Sequence, residues 1–156
     1  MNPLKTNKFA DQIKEVIIGE YSSVMKLPGN TIGKFILIAV GIEFLGACLD
    51  KQHIKSTARG EKRFNSAITK LFPGKYHHFV KSGSVPNFYT DFRCPVIHQF
   101  NSEKTIFLCS RDEAGSAKHL SYNPEGSLIL VAEDFYEELA IAGTRLIKVL
   151  ENKQRT

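Results

Sequence analysis

The sequence has no tryptophan, two methionines and no uninterrupted apolar run of the length that a membrane span needs. Its longest apolar stretch, residues 35–49, falls short of the ~20 residues that cross a bilayer and carries Glu43 in its middle. This stretch is therefore predicted to be a buried helix of a bundle. We expect no membrane partner and a cytoplasmic location.

Cysteines and the common catalytic motifs are also scarce. Cys48, Cys94 and Cys109 form no CxxC pair and lie in apolar sequence, which favours buried, reduced thiols over metal ligands. The phosphate-binding patterns GxGxxG and GxxxxGKS/T, the zinc motif HExxH and the hydrolase motif GxSxG are missing. We therefore expect neither a cofactor nor a metal site.

The remaining composition is that of one globular domain. Apolar residues make up 42% of the 156 residues and charged residues 24%, which excludes a disordered or low-complexity chain. A chain of this length buries roughly 68–70% of its unfolded surface, so it needs no disulfide or metal to hold its fold. We expect a single domain over residues 1–156.

The spacing of apolar residues predicts a mainly α-helical fold, a bundle of four or five helices. Apolar side chains recur at three- and four-residue intervals, and Pro-Gly pairs at 28–29 and 73–74 end two of the segments. The second segment is apolar on nearly every side, so we expect it at the centre of the bundle. The predicted helices cover about residues 7–25, 31–50, 64–72, 87–100 and 133–149, with a short helix or turn at 75–82.

The apolar pattern changes between residues 104 and 132. Three short runs rich in β-forming residues (TIFLCS, KHLSYN and SLILVA) are separated by polar segments. Residues 123–126 (NPEG) have the composition of a type I turn. These features predict a small antiparallel hairpin or three-stranded meander, inserted before the last helix.

The basic charge is concentrated in one segment. The whole chain carries +5, whereas residues 51–81 hold eight lysines and arginines and one acid, Glu61, which gives +7. Aromatic residues lie in the same segment, a combination typical of proteins that bind a phosphate backbone with accessible bases. The alternative is a solvated helix face whose aromatic residues belong to the core. The candidate RNA-binding residues are Arg59, Lys62, Arg63 and Lys70.

Residues 88–100 (FYTDFRCPVIHQF) contain an arginine and a histidine five positions apart, Arg93 and His98. In a bundle with an apolar central helix, this R-x4-H pattern resembles the signature of the HEPN superfamily of small helical domains. Five positions on an ideal helix leave two side chains about 140° apart. Either a kink at Pro95 or a two-fold dimer would be needed to bring the pair into one cleft.

The resemblance implies a metal-independent endoribonuclease that works as a homodimer. His98 would be the general acid or base at the ribose 2′-OH or the leaving 5′-oxygen, and Arg93 would bind the phosphate. The products would be a 2′,3′-cyclic phosphate and a 5′-OH. Active relatives commonly carry a polar residue directly after the arginine, whereas this chain has Cys94 and Pro95.

Two other interpretations of these residues stay open. Arg93 could instead form an ion pair with Asp91 or Glu43, and His98 could be an ordinary surface or core histidine. The protein as a whole could be a non-catalytic HEPN-like module that engages a protein partner, as in a toxin–antitoxin or defence pair, or a nucleotide. It could also be a purely structural bundle whose β insertion mediates association.

Overall fold

The computed structural model describes residues 3–50 and 58–153, with side chains from residue 8 onward within those ranges. In chain order the elements are α1, residues 3–25 (α-helical Pro3–Gln12 and Tyr21–Met25 around π-helical Ile13–Glu20); α2, Thr31–Leu49; α3, Gly60–Leu71; α4, Gly74–His77, followed by a 3-10 turn, His78–Val80; α5, residues 88–99 (π-helical Phe88–Arg93, then α-helical Cys94–Gln99); β1, Ile106–Cys109; α6, Arg111–Ala114; β2, Leu128–Val131; and α7, Ala132–Asn152.

The predicted mainly helical class is confirmed, and so is the position of a small sheet before the last helix. The core lies between α1, α2, α3, α5 and α7, and an aromatic cluster forms its centre. Phe135 of α7 stacks on Tyr76 at a ring distance of 5.7 Å and contacts Phe88 and Phe92 at 5.8 and 5.6 Å. Such aromatic contacts contribute about 0.5–1.5 kcal/mol each beyond the area that they bury.

The helix α2 is central, but the bundle does not enclose it on every side. It packs against α3, α5 and α7. A stripe along its outer face, Leu37, Val40, Phe44 and Ala47, is only partly covered, and Val40 is 47% exposed. The stripe follows the 3-4 spacing of one helix face. By length and composition alone α2 could also cross a membrane, a property that it shares with core helices of soluble proteins.

The predicted antiparallel arrangement of the sheet is wrong, because β1 and β2 pair in parallel, with Ile106 opposite Leu128. Parallel strands need a long connection, and residues 110–127 provide one. The turn at residues 123–126 does reverse the chain, but it brings residues 120–122 alongside β2, where Tyr122 and Leu128 form an isolated antiparallel bridge. The turn signal was therefore correct, whereas the partner of β1 was not predicted.

The helix α5 changes geometry at the position where Pro95 predicts a kink or a restart. Its π-helical part closes with a bond from the Cys94 N–H to the Tyr89 carbonyl, and a regular α-helix begins at Cys94. Pro95 has no N–H to donate to the carbonyl of Asp91. The N–H of Glu103 donates to that carbonyl instead, at 3.0 Å. The carbonyl that Pro95 leaves without a helical donor is thus hydrogen-bonded.

A histidine ties the β segment to the aromatic core. The N–H of Val131 donates to Nδ1 of His119 at 3.0 Å, so Nδ1 carries no proton and Nε2 carries it in the neutral ring. Nε2 lies 2.9 Å from the hydroxyl of the buried Tyr76. Burial, with a contribution from the charge of Lys75, lowers the pKa of His119 from 6.5 to about 4.

This histidine makes stability depend on pH. Between about pH 6.5 and pH 4 the unfolded chain binds a proton at His119 that the folded chain does not, so the free energy of unfolding falls as the pH falls through this window. We expect a loss of about 2–3 kcal/mol. Urea unfolding of the wild type and of His119→Gln, whose amide oxygen can accept from Val131 without titrating, measures it. An equally steep fall in both proteins would contradict the assignment.

Candidate nucleic-acid interface

The four basic residues singled out in the sequence lie on or beside one face of α3. Arg59 precedes the helix, and Lys62, Arg63 and Lys70 follow at positions i+3, i+4 and i+11, a spacing that keeps side chains on one side. The opposite face carries the apolar residues that enter the core, Phe64, Ala67, Ile68 and Leu71. The amphipathic pattern of α3 therefore turns Lys62 and Lys70 towards solvent, whereas Arg63 lies at the edge of the core and is buried against α2.

These four side chains line one pocket, which we call the basic pocket. It has a volume of about 320 Å³ and lies between α3 and the carboxyl end of α2. Lys62 and Lys70 are exposed, whereas Arg63 is 7% exposed. The complete lining is Gly46, Leu49, Asp50, Arg59, Lys62, Arg63, Ser66 and Lys70.

Asp50 is the acidic residue of this pocket, and it holds the two arginines in position. Its carboxylate accepts from Arg59 Nε at 2.7 Å and Nη2 at 3.2 Å, and from Arg63 Nε at 3.1 Å. Asp50 caps the carboxyl end of α2, where the helix dipole disfavours a negative charge. The two guanidinium groups offset that cost, and their shared carboxylate fixes the orientation of both.

Gly46 sets the distance between α2 and α3. A Cβ atom at this position would overlap the carbonyl of Arg63 and would lie 2.9 Å from its Cα. The two helices therefore approach so closely that only glycine fits. This contact brings the Arg63 side chain to the end of α2, within reach of Asp50.

Arg93 forms an ion pair with Glu43 of α2. Its Nε and Nη2 donate to the same carboxylate oxygen at 2.8 and 2.7 Å, and its guanidinium carbon lies 5.4 Å from the centre of the Tyr89 ring. Burial alone would lower the pKa of Arg93, but the hydrogen bonds and charge of Glu43 raise it above its usual value. Of the partners considered in the sequence, Glu43 is therefore the one observed. Asp91 accepts instead from Thr105 and from the N–H of Asn87.

The two members of the R-x4-H pattern do not meet within one chain. Arg93 turns inward to Glu43, whereas His98 is exposed and makes no side-chain hydrogen bond to any described residue. A change of helix type at Cys94 separates the two residues. A cleft containing both would need a second chain, as the sequence argument allowed.

Arg63 connects the two regions. A second pocket of about 300 Å³, which we call the Arg93 pocket, is lined by Arg63 and Arg93 together with Val40, Glu43, Phe44 and Ala47 of α2. The basic pocket and the Arg93 pocket therefore share Arg63 as a common wall. The apolar stripe of α2 forms the other side of the Arg93 pocket.

Sequence reasoning missed Asp50 and Gly46 as parts of this surface. The signal for Asp50 was its position directly after the apolar helix and ahead of a basic segment. Gly46 had no signal, because its role depends on the packing of a helix that is distant in sequence. Lys51 and Lys55, which belong to the basic segment, lie outside the described residues. Within residues 8–50 and 58–153, no group of three or more metal-ligating side chains is present.

Comparison with protein-family models, with curated proteins and with solved structures found no match to this chain.

The tight approach at Gly46 makes a prediction about stability. Gly46→Ala should lower the free energy of unfolding by at least about 3 kcal/mol, because the added methyl overlaps backbone atoms that cannot move without separating α2 from α3. Gly33→Ala, on the same helix, is the matched control. Its Cβ would meet no atom closer than 4.0 Å, so we expect a gain of about 0.5–1 kcal/mol. Denaturant unfolding measures both, and a loss at Gly46 below about 1 kcal/mol would contradict the contact.

Proposed function

We propose that this protein binds RNA through the basic pocket and the adjoining Arg93 pocket. The observation that carries the proposal is the convergence of Arg59, Lys62, Arg63 and Lys70 on one pocket that also shares Arg63 with the Arg93 pocket. Four cations face one carboxylate, so the described lining has a surplus of positive charge. Such a surface gains free energy by binding phosphates and releasing their counterions.

Aromatic side chains near this surface are held in the core rather than exposed to bases. Phe64 and Tyr76 are fully buried, and Phe72 is 4% exposed. Tyr89 is partly buried between Phe64 and Arg93. The binding that we propose therefore depends on phosphate contacts, which position a strand without reading its sequence.

Removal of the two exposed lysines tests this function. The double variant Lys62→Ala/Lys70→Ala should weaken binding of an unstructured RNA roughly tenfold at low salt. The slope of log K against log salt should fall by about 0.7 for each phosphate that is no longer bound. Fluorescence anisotropy over a salt series measures both quantities. The control Lys26→Ala/Lys118→Ala removes the same charge from exposed positions outside the pocket. Equal weakening in both variants, or no binding by the wild type at low salt, would contradict the proposal.

A second candidate function is metal-independent RNA cleavage at a site shared by two copies of the chain. The Arg93 pocket and the exposed histidine favour it. The half-covered stripe of α2 borders Arg93, so a second copy seated on Val40 and Phe44 would bury apolar surface beside the guanidinium. The His98 side chain is exposed, so its ring could exchange a proton with a ligand or with a partner chain. In such a dimer His98 would transfer the proton and Arg93 would bind the phosphate.

This candidate predicts cleavage in EDTA that His98→Ala and Arg93→Ala each abolish, whereas His78→Ala, at another exposed histidine, leaves it intact. Mixing the two inactive proteins tests the shared site, because a mixed dimer would contain one intact Arg93 and one intact His98. Recovery of 2′,3′-cyclic phosphate and 5′-OH ends is the expected result. Cleavage that survives His98→Ala or stops in EDTA would contradict the mechanism. Binding without cleavage would instead favour a non-catalytic module.

A further inference from the structure

We propose that the basic pocket receives a terminal phosphomonoester, so that the protein holds RNA by a phosphorylated end. The inference rests on the proposed RNA binding and specifies the group that the pocket recognises.

The charge of the pocket fits a dianion better than an internal phosphate. Its described lining contains four cations and Asp50, whose carboxylate already bonds to Arg59 and Arg63. An internal phosphodiester brings a single negative charge. A terminal phosphate brings about −1.5 to −2 at pH 7 and three strong acceptor oxygens. A site with this surplus of positive charge therefore favours the terminal group.

The shape of the pocket leads to the same ligand. Sites that follow a strand are grooves along which successive phosphates lie. Here the donors converge instead on one concavity of about 320 Å³, with α3 on one side and the end of α2 on the other. A terminal phosphate can place three free oxygens among these converging donors, whereas an internal phosphate has two.

One of the donors is held in place before any ligand binds. Arg63 is 7% exposed although it lines the pocket, its Nε donates to Asp50 at 3.1 Å, and its backbone packs against Gly46. A buried guanidinium with a fixed orientation loses little conformational freedom on binding, and it keeps its positive charge at a fixed place beside the ligand. Lys62 and Lys70 at the exposed rim then supply charge that can adapt to the ligand.

The experiment compares one oligoribonucleotide sequence with a 5′-phosphate, with a 3′-phosphate, and with hydroxyls at both ends. We expect one phosphorylated form to bind roughly tenfold tighter than the hydroxyl form in anisotropy titrations, since the extra phosphate accepts additional charge-assisted hydrogen bonds. Lys62→Ala/Lys70→Ala should remove this preference, and Lys26→Ala/Lys118→Ala should keep it. The preference should also shrink below about pH 6, where the phosphate loses its second charge.

The outcomes separate this inference from the function on which it rests. Equal affinity for all three RNA forms would overturn the inference and leave RNA binding intact. Absence of binding to every RNA form would remove the proposed function. In that case the melting temperature of the protein is compared in the presence of adenosine 5′-monophosphate and of adenosine. The comparison shows whether the pocket binds a phosphomonoester. A rise in melting temperature with the monophosphate, abolished in Lys62→Ala/Lys70→Ala, would support the site as one for free nucleotides, and no rise would overturn it.

Discussion

The close contact between Gly46 and the backbone of Arg63 is the constraint on which the candidate surface depends. Glu43, Gly46 and Asp50 follow one another at intervals of three and four residues, so they share one face of α2. Because Gly46 fixes α3 against this face, Asp50 comes within hydrogen-bonding distance of Arg63. One turn earlier on the same face, Glu43 meets Arg93 of α5. The same side of α2 and its carboxyl end thus supply the acidic partners of both basic regions.

The irregular helix α5 places Arg93 against α2, next to Glu43. Its π-helical turn and the break at Pro95 would each leave backbone groups without partners in an ordinary helix. Asn87 caps its start by accepting from the N–H groups of Tyr89 and Thr90, and Glu103 satisfies the carbonyl of Asp91. With these bonds made, Phe88 and Phe92 enter the aromatic core and Arg93 lies against α2. The change of helix type at Cys94 therefore lies directly after the arginine that contacts α2.

The sequence predicts those features of the structure that depend on residues close together in the chain. The helices followed from apolar spacing, and the end of the second at residue 49 fell within one position of the prediction. The convergence of Lys62, Arg63 and Lys70 was not predicted, because it depends on α3 beginning at Gly60, four residues before the predicted start at residue 64. The parallel partner of β1 and the contact at Gly46 depend on residues far apart in the chain, and no periodicity encodes them. Leu37 and Val40 show the same limit, because an apolar helix face indicates burial without indicating which neighbour covers it.

On this surface the surplus positive charge and the candidate catalytic arginine, Arg93, lie in two different pockets. Arg93 and Glu43 neutralise each other, so a phosphate that reaches Arg93 must compete with a carboxylate already bonded to it. The basic pocket carries the surplus positive charge, and it lies one side chain away, across Arg63. An RNA held there would present its neighbouring phosphates to Arg93 at a high effective concentration. This would favour the phosphate over the Glu43 carboxylate without any increase in the intrinsic affinity of Arg93. In the proposed binding mode, the strength of RNA binding and the use of Arg93 would be coupled through the position of Arg63, whose backbone packs against Gly46.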